Sequence, residues 1–401
     1  MAPTANERVL HPISTAELER RWTAARRIMR DAGLDAIIAQ SVNNQSGCGY
    51  FRWLTDNPNP GSNPQTVIFP ADGLMTIVQQ GPSGRGRATD GVTAPDRGVG
   101  KRVFSPSYPS VQYTGGYDAD IVAREIRTAG FRRIGFACPA TWYHTFGLRL
   151  ADQLKGIALE DCTDAIDRVK SVKSAEEVDI MRRSCAVQDE VMRRVAGHIR
   201  PGMKDFEVYA FAQYQCQLLG SEGGLFLGSS GTPGDDPAAY RPRSQMGREI
   251  RKGDAFMLLI ENSGPGGYYT EIARPFIFGK APQTMKDMVQ MIVEAQQATV
   301  RRLKPGASFP EILSAHNEFM RVSGRHPEER LYSHSQGYDL VERPLVRNDE
   351  TGMKVEANMV FACHPEVNTP KEFMTICDNF LVNADGTQER LHTTPQEYFE
   401  L

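Results

Sequence analysis

The sequence contains an internal repeat, which limits the possible fold more than any other feature. Ile199–Glu207 and Leu303–Glu311 share a basic residue, a Pro-Gly pair and a Glu six residues after the Pro. Each copy follows a long helix pattern and leads into a second helix and then into strands. This order predicts an α+β fold in which an ααββ unit is used twice about a pseudo-twofold axis. Two such halves would face each other across a cleft, where ligand sites are common. The strands expected in the two units are Gly224–Ser229, Asp254–Glu261, Leu331–Gln336 and Met359–Pro365.

The chain before the repeat reads as a smaller mixed α/β domain. Ser14 and Glu17 form a capping box that opens an amphipathic helix reaching Asp31. A second capping box at Ser174–Glu177 opens the next long helix, so we expect 1–170 to form the N-terminal domain and 171–401 the catalytic domain. The Gly-rich stretch Gly81–Gly100 is expected to be loop, and the absence of a Gly-x-Gly-x-x-Gly turn argues against dinucleotide binding. The other elements expected here are strands at Leu34–Ala39, Thr66–Phe69, Leu74–Val78 and Arg133–Cys138, and a helix at Trp142–Leu154.

Composition and charge exclude several classes of protein. The 401 residues include 46 basic and 49 acidic side chains, a net charge of −3 that leaves no electrostatic footprint for nucleic acid or an anionic membrane. The longest apolar run is Ala255–Ile260, far shorter than the roughly 20 residues of a membrane span. Met1–Glu17 lacks the apolar region of a secretory signal, and the seven scattered cysteines form no disulfide framework. We therefore expect a cytoplasmic protein with a small-molecule partner.

Two glutamates mark a candidate site in the first repeat. Glu261 directly follows the apolar strand pattern Asp254–Ile260, and Glu271 lies ten residues further on. On a hairpin the two carboxylates would be close, and such a pair requires a cation, a shared proton or a nearby arginine such as Arg274. The Gly-rich turn Ser263–Gly267 leaves open the alternative that the strand ends at Glu261 and its carboxylate is solvated.

The second repeat places two histidines at the ends of strand patterns. His334 lies in Tyr332–Tyr338, and His364 ends the apolar run that starts at Asn358. Cys377 lies within another apolar strand pattern, where a lone cysteine is usually a small buried hydrophobe. Three charged residues lie close to these histidines in the sequence, namely Glu342, Arg343 and Glu366.

In this order and spacing, these segments resemble the pita-bread family of methionine aminopeptidase, aminopeptidase P, prolidase and creatinase. The resemblance covers about Arg168–Gly386 and implies a pita-bread fold after a creatinase-like N-terminal domain. Val169–Glu177 resembles the interdomain signature of the prolidase and creatinase branch, and Gly267–Arg274 resembles the Gly-Tyr-x-x-Asp-x-x-Arg hairpin. The remaining match is to three motifs that follow one another in the family. His334 and Gly337 resemble His-Gly-x-Gly, Glu342 and Pro344 resemble Glu-x-Pro, and Asn358–Phe361 resembles Gly-Met-Val-Phe.

The chain departs from the family at the metal ligands. The metallopeptidases of the family hold two metal ions with Asp, Asp, His, Glu and Glu, and only the His is retained here. Val341 stands at the second-His position, and the substrate-side His is missing near Ala238 and Tyr240. The five positions that match the ligands carry Glu261, Glu271, His334, His364 and Cys377, with a one-residue offset at the first.

One interpretation is that the metal site has been lost and that no cofactor is used. Creatinase and ectoine hydrolase show that the fold can hydrolyse C–N bonds without metal. The resemblance to that branch implies that Glu261 is the nucleophile or base and His334 the proton shuttle, on a small amide, amidine or cyclic amidine that carries a carboxylate. Glu271 completes the catalytic set. The substrate-binding residues expected on this interpretation are Arg343, Arg274, Tyr269, His364, Glu366 and Glu342.

The alternative is that the altered ligand set still holds one softer ion. All five positions still carry side chains able to ligate, so a single Zn²⁺ or Fe²⁺ could be bound by Glu261, Glu271, His334, His364 and Cys377. The activity would then be that of a metal-dependent Xaa-Pro peptidase-like hydrolase or of a lyase. A non-catalytic binding module is disfavoured, because the chain lacks the basic tails of such relatives.

The N-terminal domain has a second candidate role. In creatinase-like dimers, a loop of this domain closes over the partner's site, and the matching segment here is Gly47–Thr55. Its Arg52 and Trp53 are expected to bind substrate if they are exposed, although the aromatic residues of the segment could equally be core. The resemblance thus implies a homodimer.

Overall fold

The computed structural model describes residues 11–41, 49–58, 63–83 and 85–401. The chain divides into two compact units, one formed by Pro12–Lys170 and one by Ser171–Leu401 together with His11. Gly47 and Cys48, at the start of the segment expected to reach a partner, lie outside the described residues. Within the described parts of the chain, every helix is too short or too polar to cross a bilayer.

The N-terminal unit is a mixed sheet with helices packed against it. Ser14 caps the first helix by accepting a hydrogen bond from the Glu17 backbone, and Gly33 ends that helix in a left-handed conformation. The strand order is β4-β5-β3-β2-β1-β6-β7. Its helices are α1 Thr15–Ala32, α2 Gly49–Thr55, α3 Tyr117–Thr128, α4 His144–Gln153 and α5 Thr163–Ser171, and its strands are β1 Ala36–Ser41, β2 Gln65–Pro70, β3 Met75–Gln80, β4 Gly86–Ala88, β5 Val99–Ser105, β6 Arg133–Ala137 and β7 Ala158–Asp161.

One prediction for this unit is partly wrong. The stretch Gly81–Gly100 was expected to be loop, but it contains β4 and the first residues of β5. All three residues of β4 are exposed, so their polar, Gly-containing sequence carries no apolar alternation from which a strand could be recognised. The strand exists because it pairs with the edge of β5.

The C-terminal unit contains the predicted duplication. In each half, two helices precede the strands, as the repeat implied. The capping box at Ser174 opens α6, and both of its hydrogen bonds are present. The helices are α6 Ala175–Ala196, α7 Asp205–Leu218, α8 Gln283–Val300 and α9 Phe309–Val322, and the strands are β8 Gly223–Gly231, β9 Ala255–Ser263, β10 Tyr269–Ile277, β11 Ser333–Ser335, β12 Glu342–Leu345, β13 Val360–Cys363, β14 Glu366–Asn368, β15 Phe373–Thr375, β16 Asp378–Val382, β17 Gln388–Arg390 and β18 Phe399–Glu400.

The sheet of the first half is buried on both faces. It has the order β18-β10-β9-β8, and every residue of β9 and β10 is buried. Phe256, Leu258 and Ile260 alternate along β9 and join the apolar core that includes α6 and α7. The alternate residues of β9, which include Leu259 and Glu261, therefore point to the opposite, inner face.

The sheet of the second half lies beside that inner face. Its order is β12-β11-β13-β16-β17, with α8 and α9 supplying the core on its other side. Backbone hydrogen bonds of 3.3 Å in both directions join Ala273 of the first half to Cys377 of the second. The two sheets are thus directly connected next to the predicted ligand positions.

Candidate metal centre

The two glutamates of the first half lie opposite each other on neighbouring strands. Glu261 of β9 pairs in register with Glu271 of β10, across the turn that was expected from the Gly-rich sequence. Both are buried, so Glu261 does not have the solvated position that the sequence left open. The predicted close carboxylate pair is confirmed.

Burial dominates the electrostatics of this pair. It raises the pKa of Glu271 to about 7, although Cys377 and Arg330 act in the opposite direction. It also raises the pKa of Glu261 well above its usual range, and the neighbouring Glu271 raises it further. Gln336 Nε2 donates a hydrogen bond to Glu261 Oε1 over 2.8 Å, which lowers the pKa of Glu261 but does not offset the effect of burial. In the absence of a cation, the two carboxyls are therefore expected to share a proton.

The two histidines of the second half converge on Glu271. His334 lies in β11 and His364 directly after β13, and these two strands pair with Ser333 opposite Cys363. Each histidine Nε2 is 3.8 Å from Glu271 Oε2. His334 Nδ1 donates to the Ser335 carbonyl oxygen over 3.0 Å, which leaves its Nε2 for a ligand. We call Glu271, His334 and His364 the ligand cluster, since one ligand atom from each lies within 4.8 Å of the others.

Both histidines are held in the neutral form, which is the form that binds metal. Burial lowers the pKa of His334 to about 4. Burial lowers the pKa of His364 well below its usual range, and the neighbouring His334 and Arg330 lower it further. A neutral imidazole offers a lone pair that a protonated ring lacks.

The ligand cluster fits one transition-metal ion. Glu271 Oε2 is buried and has no hydrogen-bond partner among the described residues, a costly state that a cation would relieve. Two ligands of a tetrahedral zinc ion are about 3.4 Å apart, given bonds of about 2.0–2.1 Å, and each Nε2–Oε2 distance is 3.8 Å. Imidazole suits Zn²⁺ or Fe²⁺ better than the hard ions that favour all-oxygen sites.

Cys377 lies beside the cluster and is held there by Arg274. Its thiol is fully buried, and burial followed by the Glu271 carboxylate raises its pKa well above the usual range. Arg274 Nη1 donates to the Cys377 carbonyl oxygen over 2.8 Å, and Arg274 Nη2 is 2.6 Å from Asp378. The predicted substrate-binding role of Arg274, and its predicted pairing with Glu271, are wrong because its guanidinium is fully buried and bonded to Asp378 and backbone carbonyls.

Three other predicted substrate-binding residues take part in internal ion pairs. The Arg343 guanidinium grips Glu350 with two hydrogen bonds of 2.7 and 2.8 Å. Glu342 is buried and pairs with Lys173 at 3.2 Å. Glu366 is 3.2 Å from Arg330, whose charge also reaches Glu271 and His364. Arg343 and Glu342 therefore already have charged partners of their own.

The two tyrosines before Glu271 point in different directions. Tyr268 donates its hydroxyl to Glu177 over 2.6 Å and so contacts α6. Tyr269 lies two residues before Glu271 on β10, so it shares the inner face with that carboxylate. This alternation was predicted from the sequence.

The N-terminal candidates are not exposed in this chain. Arg52 is 6% exposed and Trp53 is 2% exposed, within α2. Of the two alternatives left open for this segment, burial is the one observed, because the helix turns both side chains into the N-terminal unit. The exposure on which their substrate-binding role depended is therefore contradicted.

Sequence reasoning missed the residues that support the glutamates. Gln336 holds Glu261, and Asn379 Nδ2 donates to Gln336 Oε1 over 2.8 Å. Asn379 Oδ1 accepts a hydrogen bond of 2.7 Å from the Glu271 backbone. Gln336 lies two residues after His334, the one signal that could have identified it.

An apolar cavity of about 600 Å³ lies further along the same sheet face. It is lined by Met257 of β9 and Pro275 of β10, together with residues of α8 and of the segment before β15. Leu259 and Ala273 separate its lining from the carboxylates, so we do not assign it to the metal centre.

Comparison with known proteins identifies the family. The profile of metallopeptidase family M24 matches residues 179–384. The chain is 26% identical over 400 residues to the uncharacterized hydrolase/peptidase y4tM of Sinorhizobium fredii, covering 97% of this chain and 98% of that protein. It is 25% identical over 245 residues to an Xaa-Pro dipeptidase of Pyrococcus furiosus, covering 58% of this chain and 66% of that protein.

Solved structures show the same fold. A prolidase of Thermococcus sibiricus superposes with a TM-score of 0.77 at 18% identity, covering 96% of this chain and 99% of that one. An X-Pro aminopeptidase of Thermotoga maritima gives a TM-score of 0.75 at 16% identity, covering 95% and 99%. The predicted α+β fold, with a pita-bread domain after an N-terminal α/β domain, is confirmed.

These comparisons correct the functional prediction. A metal-independent hydrolase of non-peptide C–N bonds, with no cofactor, was the preferred interpretation, and it is wrong. The matching family is one of metallopeptidases, and the named relatives include dipeptidases. The matches support the pita-bread superfamily but do not single out its creatinase branch. By the match over residues 179–384, this chain belongs to metallopeptidase family M24.

Proposed function

We propose that this protein is a metal-dependent hydrolase of an amide bond in small peptide-like substrates, and that it uses one metal ion. Xaa-Pro dipeptides are the first substrates to test, because relatives carry that activity in their names. The observation that carries the proposal is the ligand cluster, with ligand atoms from Glu271, His334 and His364 within 4.8 Å of one another.

We assign one ion rather than two because of the charge of the donor set. A pair of divalent cations needs several anionic oxygens to hold them together. Here, the cluster offers one carboxylate and two neutral imidazoles, and Glu261 is the only other carboxylate in direct contact with Glu271 among the described residues. Cys377 is a candidate fourth ligand, since a metal would remove its proton.

When bound, the ion would polarise the substrate carbonyl and lower the pKa of a bound water. Glu261 is suited to move the proton. A hydrogen bond from Gln336 fixes one oxygen of Glu261. The raised pKa of Glu261 enables this carboxylate both to accept a proton from water and to return it to the leaving nitrogen. The neutral histidines would serve as ligands and not as proton shuttles, which replaces the role first assigned to His334.

Two predicted substrate-binding residues fit this arrangement. Tyr269 shares the inner face with Glu271, and Glu366 lies on the Arg330 side of the cluster. We propose that Tyr269 packs against the substrate and that the Arg330–Glu366 pair binds one of its charged ends. The cytoplasmic location, the homodimer and the site shared between its subunits stay predictions. Light scattering after size-exclusion chromatography would test whether the protein is a dimer.

The test is metal reconstitution of protein purified without a metal-affinity tag. After treatment with a chelator, Zn²⁺, Fe²⁺ under anaerobic conditions or Mn²⁺ is added, and hydrolysis of Ala-Pro, Gly-Pro and Ala-Ala is measured. We expect one equivalent of Zn²⁺ or Fe²⁺ to restore activity. The His364→Ala variant should lose it, while His326→Ala, at an exposed position, should keep it. Full activity of the chelated protein would contradict the proposal.

A further inference from the structure

We propose that Tyr240 is a catalytic residue whose phenol donates a hydrogen bond to the carbonyl oxygen of the bond being cleaved. The inference rests on the proposed function, because it concerns the substrate at the same metal centre. It adds a residue that lies outside every regular element, between β8 and β9.

The Tyr240 hydroxyl is buried and unused. Its Oη has no hydrogen-bond partner among the described residues, although it is shielded from solvent. A buried hydroxyl that makes no hydrogen bond costs about 1–3 kcal/mol. Such a cost is understandable if a ligand supplies the missing acceptor during turnover.

The Tyr240 phenol lies near the ligand cluster. The Tyr240 ring packs on the apolar patch formed by Leu259, Ala273, Ala362 and Cys377, which separates the cluster from the cavity along the sheet. Burial raises the pKa of the Tyr240 phenol well above its usual range, and the nearby side chains of Glu271, Glu366 and Cys377 raise it further. The phenol is therefore within electrostatic reach of Glu271, the carboxylate that we assign to the metal.

The ring is held rigidly in this place. Phe373 meets it edge-on, with ring centroids 5.0 Å apart and an interplanar angle of 71°. The backbone next to it is fixed by Ser229, whose hydroxyl donates to the Ala239 carbonyl oxygen. A donor that is already oriented stabilises a developing negative charge without reorganisation during the reaction.

The imidazole and guanidinium donors near the cluster already have other partners. The two histidines use Nε2 as ligands in our assignment, and His334 Nδ1 is bonded to Ser335. Arg330 pairs with Glu328 and Glu366 at 2.7 and 3.2 Å. The hydroxyls of Thr270, Ser333 and Ser335 are also unpartnered, but each adjoins a ligand along its strand and so points to the opposite face of the sheet. Among the described hydroxyls without a partner, this leaves that of Tyr240 on the side of Glu271.

The hydrogen bond leaves the phenol proton on Tyr240 throughout. Water adds to the carbonyl carbon, the carbonyl oxygen becomes the anionic oxygen that the phenol stabilises, and the C–N bond then breaks. The products are a carboxylate and an amine, and the protons exchanged belong to the water and the leaving nitrogen.

The Tyr240→Phe variant tests this with several measurements, because it removes only the hydroxyl. We expect kcat for Ala-Pro to fall by about 100-fold, as for the loss of one oxyanion donor, with KM changed by less than about threefold. Binding of a phosphinate dipeptide that mimics the tetrahedral intermediate should weaken by about tenfold. Metal content should not change, and the melting temperature should stay level or rise, because an unsatisfied buried hydroxyl has been removed.

Tyr209→Phe is the matched control, since its ring packs on Phe226 in the other core, and it should leave kcat unchanged. A Tyr240→Phe enzyme with wild-type kcat and phosphinate affinity would overturn the inference alone. Loss of metal in that variant would also overturn it, by showing that Tyr240 is a ligand. If the wild-type protein took up no metal, or bound no phosphinate and cleaved no dipeptide, the proposed function would fail, and the inference with it.

Discussion

The two halves of the C-terminal unit contain the same order of helices and strands, but they supply different chemistry. The first half provides two carboxylates on one hairpin, Glu261 and Glu271, directly opposite each other. The second half provides two imidazoles and a thiol from separate strands and strand ends. The first is a hard, anionic donor set, and the second is softer and neutral.

The difference indicates which half would determine the choice of ion at the proposed metal centre. A hairpin fixes the carboxylate pair by register alone, so its geometry depends on few residues. The positions of His334 and His364 depend on the pairing of β11 with β13, and that of Cys377 on contact between the two sheets. Substitution on the second half can therefore change the ion without disturbing the hairpin, and the predictions below separate the two contributions.

The largest effect is expected from removing the carboxylate that both halves share. Glu271→Gln keeps the shape of the side chain but removes the anionic oxygen that lies 3.8 Å from both histidines. Metal affinity should fall by about 100-fold or more, since loss of an outer partner alone costs about 10–100-fold. Calorimetric titration with Zn²⁺ would measure this, with Glu249→Gln, at an exposed position, as the control. Unchanged affinity would remove Glu271 from the metal centre.

The next largest effect is expected on stability, from replacing Arg274, which joins the sheet of the first half to that of the second. Arg274→Met leaves Asp378 without its main buried partner, so we expect a loss of about 3 kcal/mol in the free energy of unfolding. Arg390 lies 3.4 Å from the same carboxylate and is partly exposed, and Arg390→Met should cost less than about 1 kcal/mol. Urea unfolding of both variants would compare them. Equal losses would mean that Arg274 does not hold the sheets together as described.

A smaller effect should follow from making the second half resemble the first. His364→Glu replaces a neutral imidazole with an anionic oxygen donor beside Glu271. The preference for Zn²⁺ over Mn²⁺ should drop by about tenfold, because carboxylate oxygens suit the harder ion. Competition between the two metals, read by mass spectrometry of the bound ions, would test it. An unchanged preference would show that His364 does not contact the ion.

The smallest effect is the pH dependence of metal uptake. Because burial raises the pKa of Glu271 to about 7, the carboxyl is protonated below that pH and must lose its proton to bind metal. Affinity should thus fall by up to about tenfold per pH unit as the pH drops below 7. Above pH 7 the Glu271 carboxyl adds nothing further, and a continued rise would come from the proton that Cys377 must lose if it is the fourth ligand. The histidines do not add to this above pH 6, since the pKa of His334 is lowered to about 4 and that of His364 also lies well below its usual range. Measuring the Zn²⁺ affinity at pH 6, 7 and 8, with a correction for the competing chelator, would test this prediction. An affinity that does not change with pH would contradict it.

Sequence patterns predicted the parts of the site that local order determines. Glu261 and Glu271 flank a Gly-rich turn, so their pairing could be predicted from spacing, and His334 and His364 stand at strand ends. The partners of Arg274 could not be predicted, and Tyr240 stood out only as a residue near the missing substrate-side His, without a role of its own. The pairing of Arg274 depends on contact with Asp378, about a hundred residues away, and the position of Tyr240 depends on a segment without regular structure. The sequence left two alternatives open for Arg52 and Trp53, because an aromatic-Arg segment looks the same whether it faces a ligand or a core, and the structure shows both side chains buried.

The most direct test of the account is the number of metal ions in the protein purified without a metal-affinity tag and dialysed against trace Zn²⁺ and Fe²⁺. Elemental analysis should find one ion per chain, and it should be lost in Glu271→Gln and in His364→Ala. Two ions per chain, or none, would contradict the single-ion centre on which the proposed chemistry depends.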